Sequence, residues 1–137
     1  MSRARHMTSH ALVLGLSLGA PVGAVAQVGT GSWQSTPASI LKNSLRNIVA
    51  AQDKYRASHP MFAGTVEALQ LNPGGDVKIQ ILGVTPNGWR AKATHRARPG
   101  RSCVVFVGRV SGADLPRTDG DGDVAGEERV PLCDRME

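Results

Sequence analysis

Two alternating stretches joined by a tight turn constrain the fold of this chain more than any other feature. Residues 77–84 (VKIQILGV) and 88–98 (GWRAKATHRAR) alternate between two kinds of side chain, and residues 85–88 (TPNG) join them. Period-two alternation is typical of a strand with one buried face, and Asn87 and Gly88 readily adopt positive φ in a turn. The sequence therefore predicts a β-hairpin.

The second stretch has a different chemistry on each of its two faces. One face carries small residues, among them Ala91 and Ala93, which let a helix approach the sheet closely. The other face carries four cations: Arg90, Lys92, Arg96 and Arg98. We expect the small residues to face the core and the cations to face water.

A helix is predicted before the hairpin. Thr36 can cap it and Pro37 suits its first position, whereas the pair His59–Pro60 ends it. Uncharged residues recur along one side of this segment at spacings of three and four: Leu41, Leu45, Ile48, Gln52 and Tyr55. Such a stripe is typical of a helix that packs on a sheet.

The rest of the chain completes a small mixed domain. A short helical turn is expected over residues 65–69, a third strand over 102–110 (SCVVFVGRV) and an edge strand over 129–132. One helix followed by a meander of three or four antiparallel strands predicts an α+β domain over residues 37–137.

The beginning of the chain has the pattern of an export signal. Arg3 and Arg5 precede an apolar stretch (ALVLGLSLGA), and the small residues AVA then provide a site for signal peptidase. We expect residues 1–26 to be removed after Ala26, followed by a flexible linker, 27–36. The alternative, an uncleaved membrane anchor, is disfavoured by the Gly and Pro residues in this segment. The mature protein is thus expected in the periplasm or outside the cell, without a stable membrane anchor.

The chain has two cysteines, Cys103 and Cys133. In the oxidising compartment that export implies, we expect a structural disulfide between them, worth about 3 kcal/mol in the loop-entropy model. A zinc site is disfavoured because two isolated cysteines lack the closely spaced partners that zinc requires.

The order of these features resembles that of type IV pilins and of the pseudopilins of type II secretion. The resemblance rests on residues 45–69, 88–95, 103–108 and 126–134. It implies a pilin-like headgroup in which a disulfide encloses the C-terminal loop. The residues that match the family around the helix end are Ala51, Gln52, Tyr55 and Phe62. Members of that family open with a hydrophobic helix beginning Phe-Thr-Leu-x-Glu, and this sequence has none, so it looks like a headgroup alone.

An acidic stretch, DGDGD at 119–123, resembles half of a calcium site because its carboxylates stand at alternate positions. Asp119, Asp121 and Asp123 are the candidate ligands, with Glu127 as a fourth. Calcium binding in the C-terminal loop of the major pseudopilins gives this prediction further support. Because this ligand set is incomplete, a solvated acidic loop without metal is preferred to the calcium site, and no cofactor is expected.

The cationic face gives a second hypothesis about function. Cations at every second residue of a strand are spaced roughly like the phosphates of a nucleic-acid strand. No phosphate-binding glycine loop, metal-binding histidine pair or nucleophile motif is present, and His95 is expected to be structural, so no enzymatic activity is expected. We expect a non-enzymatic module that docks on a pilus or secretion apparatus, with binding of DNA or another polyanion as the alternative.

Overall fold

The computed structural model describes residues 35–136. They form one helix, α1 (Pro37–Ser58), and one antiparallel sheet in the order β1–β2–β3–β4. The strands are β1 (Val77–Thr85), β2 (Gly88–His95), β3 (Ser102–Gly108) and β4 (Leu132–Cys133). The predicted α+β architecture, a helix packed on an antiparallel sheet, is confirmed. The predicted signal peptide, 1–26, and all but the last two residues of the predicted linker, 27–36, lie outside the described residues.

The helix begins and ends where the sequence predicts. The Thr36 side chain accepts a hydrogen bond from the Ser39 amide at 3.2 Å, and Pro37 fills the first turn. His59 leaves the helical conformation just before Pro60. The predicted stripe is buried from Leu41 to Gln52. Within residues 35–136, no helix is long and apolar enough to cross a membrane.

Gln52 fastens the loop that follows the helix. Its Nε2 donates to the Ala63 carbonyl and its Oε1 accepts from the Ala63 amide, both at 2.8 Å. The side chain is fully buried, so both polar atoms of the amide need partners, and Ala63 supplies both. The loop then passes through a short 3₁₀ turn at Glu67–Leu69, which lies inside the predicted helical turn, and reaches β1.

The core lies between α1 and the inward face of the sheet. Ile79 of β1 stands opposite Ala93 of β2, which stands opposite Cys103 of β3. Ala91 and Ala93 are fully buried, and α1 packs on β2 and β3. The small face of β2 is therefore the core face, as predicted, and the close approach of the helix explains why alanines occupy it.

Replacing Ala93 with Leu is expected to lower the free energy of unfolding by about 1–3 kcal/mol, because the larger side chain must push helix and sheet apart. Urea denaturation of the purified protein measures this change. Gln80→Leu is the matched control: Gln80 is exposed on the opposite face of β1, so the change there is expected to stay within about 0.5 kcal/mol. Equal effects of the two substitutions would contradict the placement of the core.

Several boundaries differ from the sequence prediction. Strand β2 ends at His95, so Arg96 and Arg98 lie in the β2–β3 turn and are not part of the strand. Strand β3 ends at Gly108, and β4 covers only Leu132–Cys133, so it begins three residues after the start of the predicted 129–132 edge strand and ends one residue after it. These ends depend on how long neighbouring strands stay paired, which the local residue pattern does not encode.

The glycine of the hairpin turn is needed for close packing. Neither Asn87 nor Gly88 has a positive φ, contrary to prediction. A Cβ at Gly88 would lie 2.6 Å from the carbonyl oxygen of Val107, and one on its cross-strand partner Gly108 would collide with the Asn87 carbonyl. The two backbones approach so closely here that neither position has room for a side chain.

Candidate functional site: the C-terminal loop

The longest irregular segment of the described domain runs from residue 109 to residue 131, between β3 and β4, and is called here the C-terminal loop. The Cys103–Cys133 disulfide closes it, which confirms the predicted bond. The two cysteines are direct cross-strand neighbours on β3 and β4. The disulfide therefore fixes the point at which the chain returns from the loop to the sheet.

The loop covers the outward face of β3. Ser102 and Val104 point away from α1, yet both are fully buried. The Asp119 amide donates to the Ser102 hydroxyl at 2.8 Å, which places the acidic stretch directly on this face. Within the loop, Thr118 and Ala125 are also buried. Strand β3 is thus covered by the helix on one face and by the C-terminal loop on the other.

A buried carboxylate, Asp134, holds the acidic stretch in place. Its Oδ2 accepts from the amides of Ser102 at 2.7 Å and Gly120 at 2.9 Å, and its Oδ1 accepts from the Asp121 amide at 2.6 Å. The residue is only 3% exposed, so its charge is stabilised mainly by these N–H groups. The carboxylate of Asp134, the residue after β4, thereby joins β3 to the middle of the C-terminal loop.

The surroundings of Asp134 and Asp121 favour their charged forms. Burial alone raises the pKa of Asp134, but four hydrogen-bond donors outweigh burial and lower its pKa: the Asp121 amide, the Thr118 hydroxyl, and the amides of Ser102 and Gly120. The pKa of Asp121 is also lowered, chiefly by the hydrogen bond from the Arg135 amide and then by that from Arg101. Protonation of either group weakens the attachment of the loop.

We expect the protein to lose stability in acid through these two groups. Because both pKa values are lower in the folded protein, their contribution is complete above the ordinary Asp pKa of about 3.9 and is lost as pH falls below it. Urea denaturation between neutral pH and strong acid measures the loss. The variant Asp121→Asn should show a smaller decrease than the wild type below about pH 4. An identical pH profile for both proteins would contradict the assignment.

The four predicted anion-binding cations do not form one solvated ridge. Arg90 pairs with Asp114 at 3.4 Å, and Lys92 pairs with Asp119 at 3.0 Å, so the C-terminal loop covers both. Only about a quarter of each cationic side chain remains exposed. The expectation that these cations face water is therefore wrong for Arg90 and Lys92. Each of these two cations on β2 instead pairs with a carboxylate of the C-terminal loop.

The other two cations lie at the end of the sheet. Arg96 approaches the Asp76 carboxylate at 4.0 Å, and both side chains are largely exposed. The Arg98 guanidinium donates from Nε to the Met136 carbonyl and from Nη1 to the Ala97 carbonyl, each at 3.2 Å. His95, predicted to be structural, accepts the Ala97 amide on Nδ1 at 3.1 Å and is only partly buried. This group of residues is separate from the covered face of β2.

Two of the four candidate calcium ligands, Asp119 and Asp121, bind other groups of the protein. Asp119 binds Lys92, and Asp121 binds Arg101 at 2.7 Å and the Arg135 amide at 2.8 Å. Asp123 and Glu127 are exposed. Among residues 35–136, no three His, Cys, Asp or Glu side chains lie close enough together to hold a metal ion. The carboxylates of Asp119 and Asp121 therefore hold the acidic stretch against the rest of the domain.

A second attachment joins the C-terminal loop to the helix. The Arg129 guanidinium forms a two-pronged ion pair with the Asp53 carboxylate of α1, and the Arg129 amide donates to the Phe106 carbonyl at 2.8 Å. The hydrogen bond to Asp53 raises the pKa of Arg129. Arg129 has a φ of 69°, a value uncommon for a residue with a side chain. Its backbone and side-chain partners both hold it in this conformation.

Sequence reasoning missed Asp134, Ser102 and the Asp53–Arg129 pair. A signal for the first two is present beside the cysteines. Residues that flank a cross-strand disulfide become neighbours, so Asp134, next to Cys133, is brought to Ser102, next to Cys103. No comparable signal links Asp53 to Arg129, because 76 positions separate them.

No model of a known protein family matches this chain, and no curated protein shows a significant match. The pilin-like resemblance therefore stays a prediction from the sequence.

Proposed function

We propose that this domain is a non-enzymatic, pilin-like interaction module that docks on a pilus or secretion apparatus through its C-terminal loop. The observation that carries the proposal is the anchoring of this loop. An irregular segment is held by a disulfide, a buried carboxylate and an ion pair to the helix. Recognition surfaces in proteins are often loops that a rigid scaffold positions in this way.

An exported location agrees with the same features. Structural disulfides persist in oxidising compartments, and the Cys103–Cys133 bond closes the loop proposed to dock. The proposal includes cleavage of the signal peptide after Ala26. Mass spectrometry of the exported protein should then find Gln27 as its first residue, and an intact N-terminus would contradict this part of the proposal.

The exposed side of the loop has the chemistry of a protein contact. Val130 is 43% exposed and stands beside the charged residues Glu127, Glu128 and Arg129. An apolar side chain with charges around it resembles the centre and rim of a small protein interface. A polyanion on β2 would instead have to displace Asp114 and Asp119 from their cations, so the described contacts favour protein docking over DNA binding.

Site-specific photo-crosslinking in the producing cell tests the proposal. A photoreactive amino acid is placed at Val130, and a matched one at Ala57, which is exposed on α1. We expect the Val130 variant to form adducts with pilus or secretion components that mass spectrometry identifies, and the Ala57 variant to form fewer. Adducts of equal yield at both sites, or none at Val130, would count against docking through the loop. Salt-dependent DNA binding that Lys92→Glu abolishes would favour the polyanion alternative.

A further inference from the structure

Basic residues surround an open cleft of about 370 Å³ at one end of the sheet. The cleft lies where β1 begins and β2 ends, between the loop at residues 74–76 and the β2–β3 turn at 96–101. Its charged and titratable residues are Asp76, Lys78, His95, Arg96 and Arg98. Three of them are cations and one is a carboxylate, so the cleft has an excess of two positive charges before His95 is counted.

The backbone around the cleft is fixed by hydrogen bonds. Strand pairing sets Lys78 opposite Thr94, and the Arg96 amide donates to the Asp76 carbonyl at 2.8 Å. The Arg98 amide donates to the His95 carbonyl at 2.9 Å, which closes the turn. The cationic side chains of the cleft therefore extend from a backbone that these hydrogen bonds hold in place.

The side chains keep donors free for a ligand. Two N–H groups of the Arg98 guanidinium bind carbonyls, which orients the plane, and the remaining N–H groups have no partner among residues 35–136. Arg96 is 85% exposed and 4.0 Å from Asp76, a loose pair that a stronger anion can replace. Because His95 accepts the Ala97 amide on Nδ1, its Nε2 carries a hydrogen and is also a donor.

This cleft differs from the covered face of β2. Arg90 and Lys92 already have carboxylate partners from the C-terminal loop, whereas Lys78 has no ion-pair partner among the described residues. The capacity of the domain to bind an anion is therefore concentrated at the end of the sheet.

We propose that this cleft binds a phosphomonoester through Arg96, Arg98 and Lys78. A phosphomonoester is close to dianionic at neutral pH, which matches the excess of two positive charges in the cleft. Guanidinium groups bind phosphate oxygens in pairs, and a lysine adds a point charge beside them. The volume admits the phosphate group together with a small organic part. This binding is a separate property from docking through the C-terminal loop.

Amide chemical shifts of the disulfide-bonded protein, recorded by NMR at constant ionic strength, test the proposal. Phenyl phosphate is the soluble probe, and vesicles of phosphatidylcholine with phosphatidic acid present the same group on a lipid. We expect saturable shifts at residues 76–78 and 94–101 with a dissociation constant on the order of 1 mM. Arg96→Gln should weaken binding about tenfold, since it removes charge-assisted hydrogen bonds from an exposed side chain that the fold does not need.

Arg109→Gln is the matched control, because it removes the same charge from an exposed residue away from the cleft. It should leave the dissociation constant for phenyl phosphate unchanged. Saturable binding that Arg96→Gln weakens, to phenyl phosphate or to the vesicles, supports the proposal. The probe that binds more tightly identifies whether the phosphate comes from a soluble compound or from a lipid. Shifts that do not saturate, or equal losses in both variants, would overturn it, since either result indicates general attraction by net charge.

Discussion

Replacing Asp134 with Ala is expected to release the acidic part of the C-terminal loop and to lower the free energy of unfolding by about 3 kcal/mol. The substitution leaves the amides of Ser102, Gly120 and Asp121 without their acceptor. Ser102 is fully buried, so its amide loses a hydrogen bond that water cannot readily replace. Urea denaturation measures the stability, and amide hydrogen exchange should show faster exchange in residues 109–131 than in α1.

Two further variants separate the role of this carboxylate from a general effect of charge. Asp134→Asn keeps the size of the side chain and one oxygen. Its free energy of unfolding should therefore lie between those of the wild type and of Asp134→Ala. Asp123→Asn removes one negative charge from an exposed neighbour in the same loop and should change stability by less than about 0.5 kcal/mol. If Asp134→Ala were as stable as Asp123→Asn, the loop would be held by its other contacts and the central role of Asp134 would be wrong.

The helix was predictable because its signals are local. Thr36, Pro37 and Pro60 act within one turn of the backbone, and their effects do not depend on the rest of the fold. The core face of the hairpin was predictable for a similar reason. Alternation assigns each side chain of a strand to one face, and the alanines of β2 identify the face that a helix approaches.

The same alternation did not predict that the C-terminal loop covers the outward face of β2. A strand with cations on one side and small residues on the other has the same sequence pattern in two cases. In one the cations face water, and in the other an acidic loop covers them. Lys92 and Asp119 are 27 positions apart, and only the path of the C-terminal loop brings them together. The same uncertainty applies to the DGDGD stretch, since a carboxylate that can bind calcium can equally bind an arginine or a backbone amide.

The positions of the strand ends and of Asp134 depend on long-range pairing. The Gly88–Gly108 contact lies at the start of β2 and at the end of β3, and neither glycine indicates by itself which backbone will approach it. Asp134 becomes important only after Cys133 has been paired with Cys103, because that pairing delivers its side chain to Ser102. The disulfide and the buried carboxylate therefore act on the same junction.

Removal of the disulfide is expected to lower the free energy of unfolding by about 3 kcal/mol, mainly because the unfolded chain regains the freedom of the closed loop. The double variant Cys103→Ala and Cys133→Ala makes the change, and urea denaturation measures it. The wild-type protein in a reducing buffer is the matched control, since it loses the same bond while keeping both sulfur atoms. Agreement between the two would assign the loss to the cross-link, and a much larger loss in the double variant would assign the difference to the emptied space beside the buried Cys103.

The coupling between the disulfide and Asp134 tests whether they form one anchor. If both hold the loop at the same junction, removing the bond already loosens the amides that Asp134 binds, and a second loss from Asp134→Ala should be smaller than in the wild type. A double-mutant cycle measures this difference, and contacts of this kind typically give an interaction energy of about 0.5–3 kcal/mol. Additive losses would mean that the carboxylate holds the acidic stretch on Ser102 without help from the disulfide. The loop would then stay on the cations of β2 after reduction, and hydrogen exchange at residues 117–123 would remain slow while that of residues 129–133 increased.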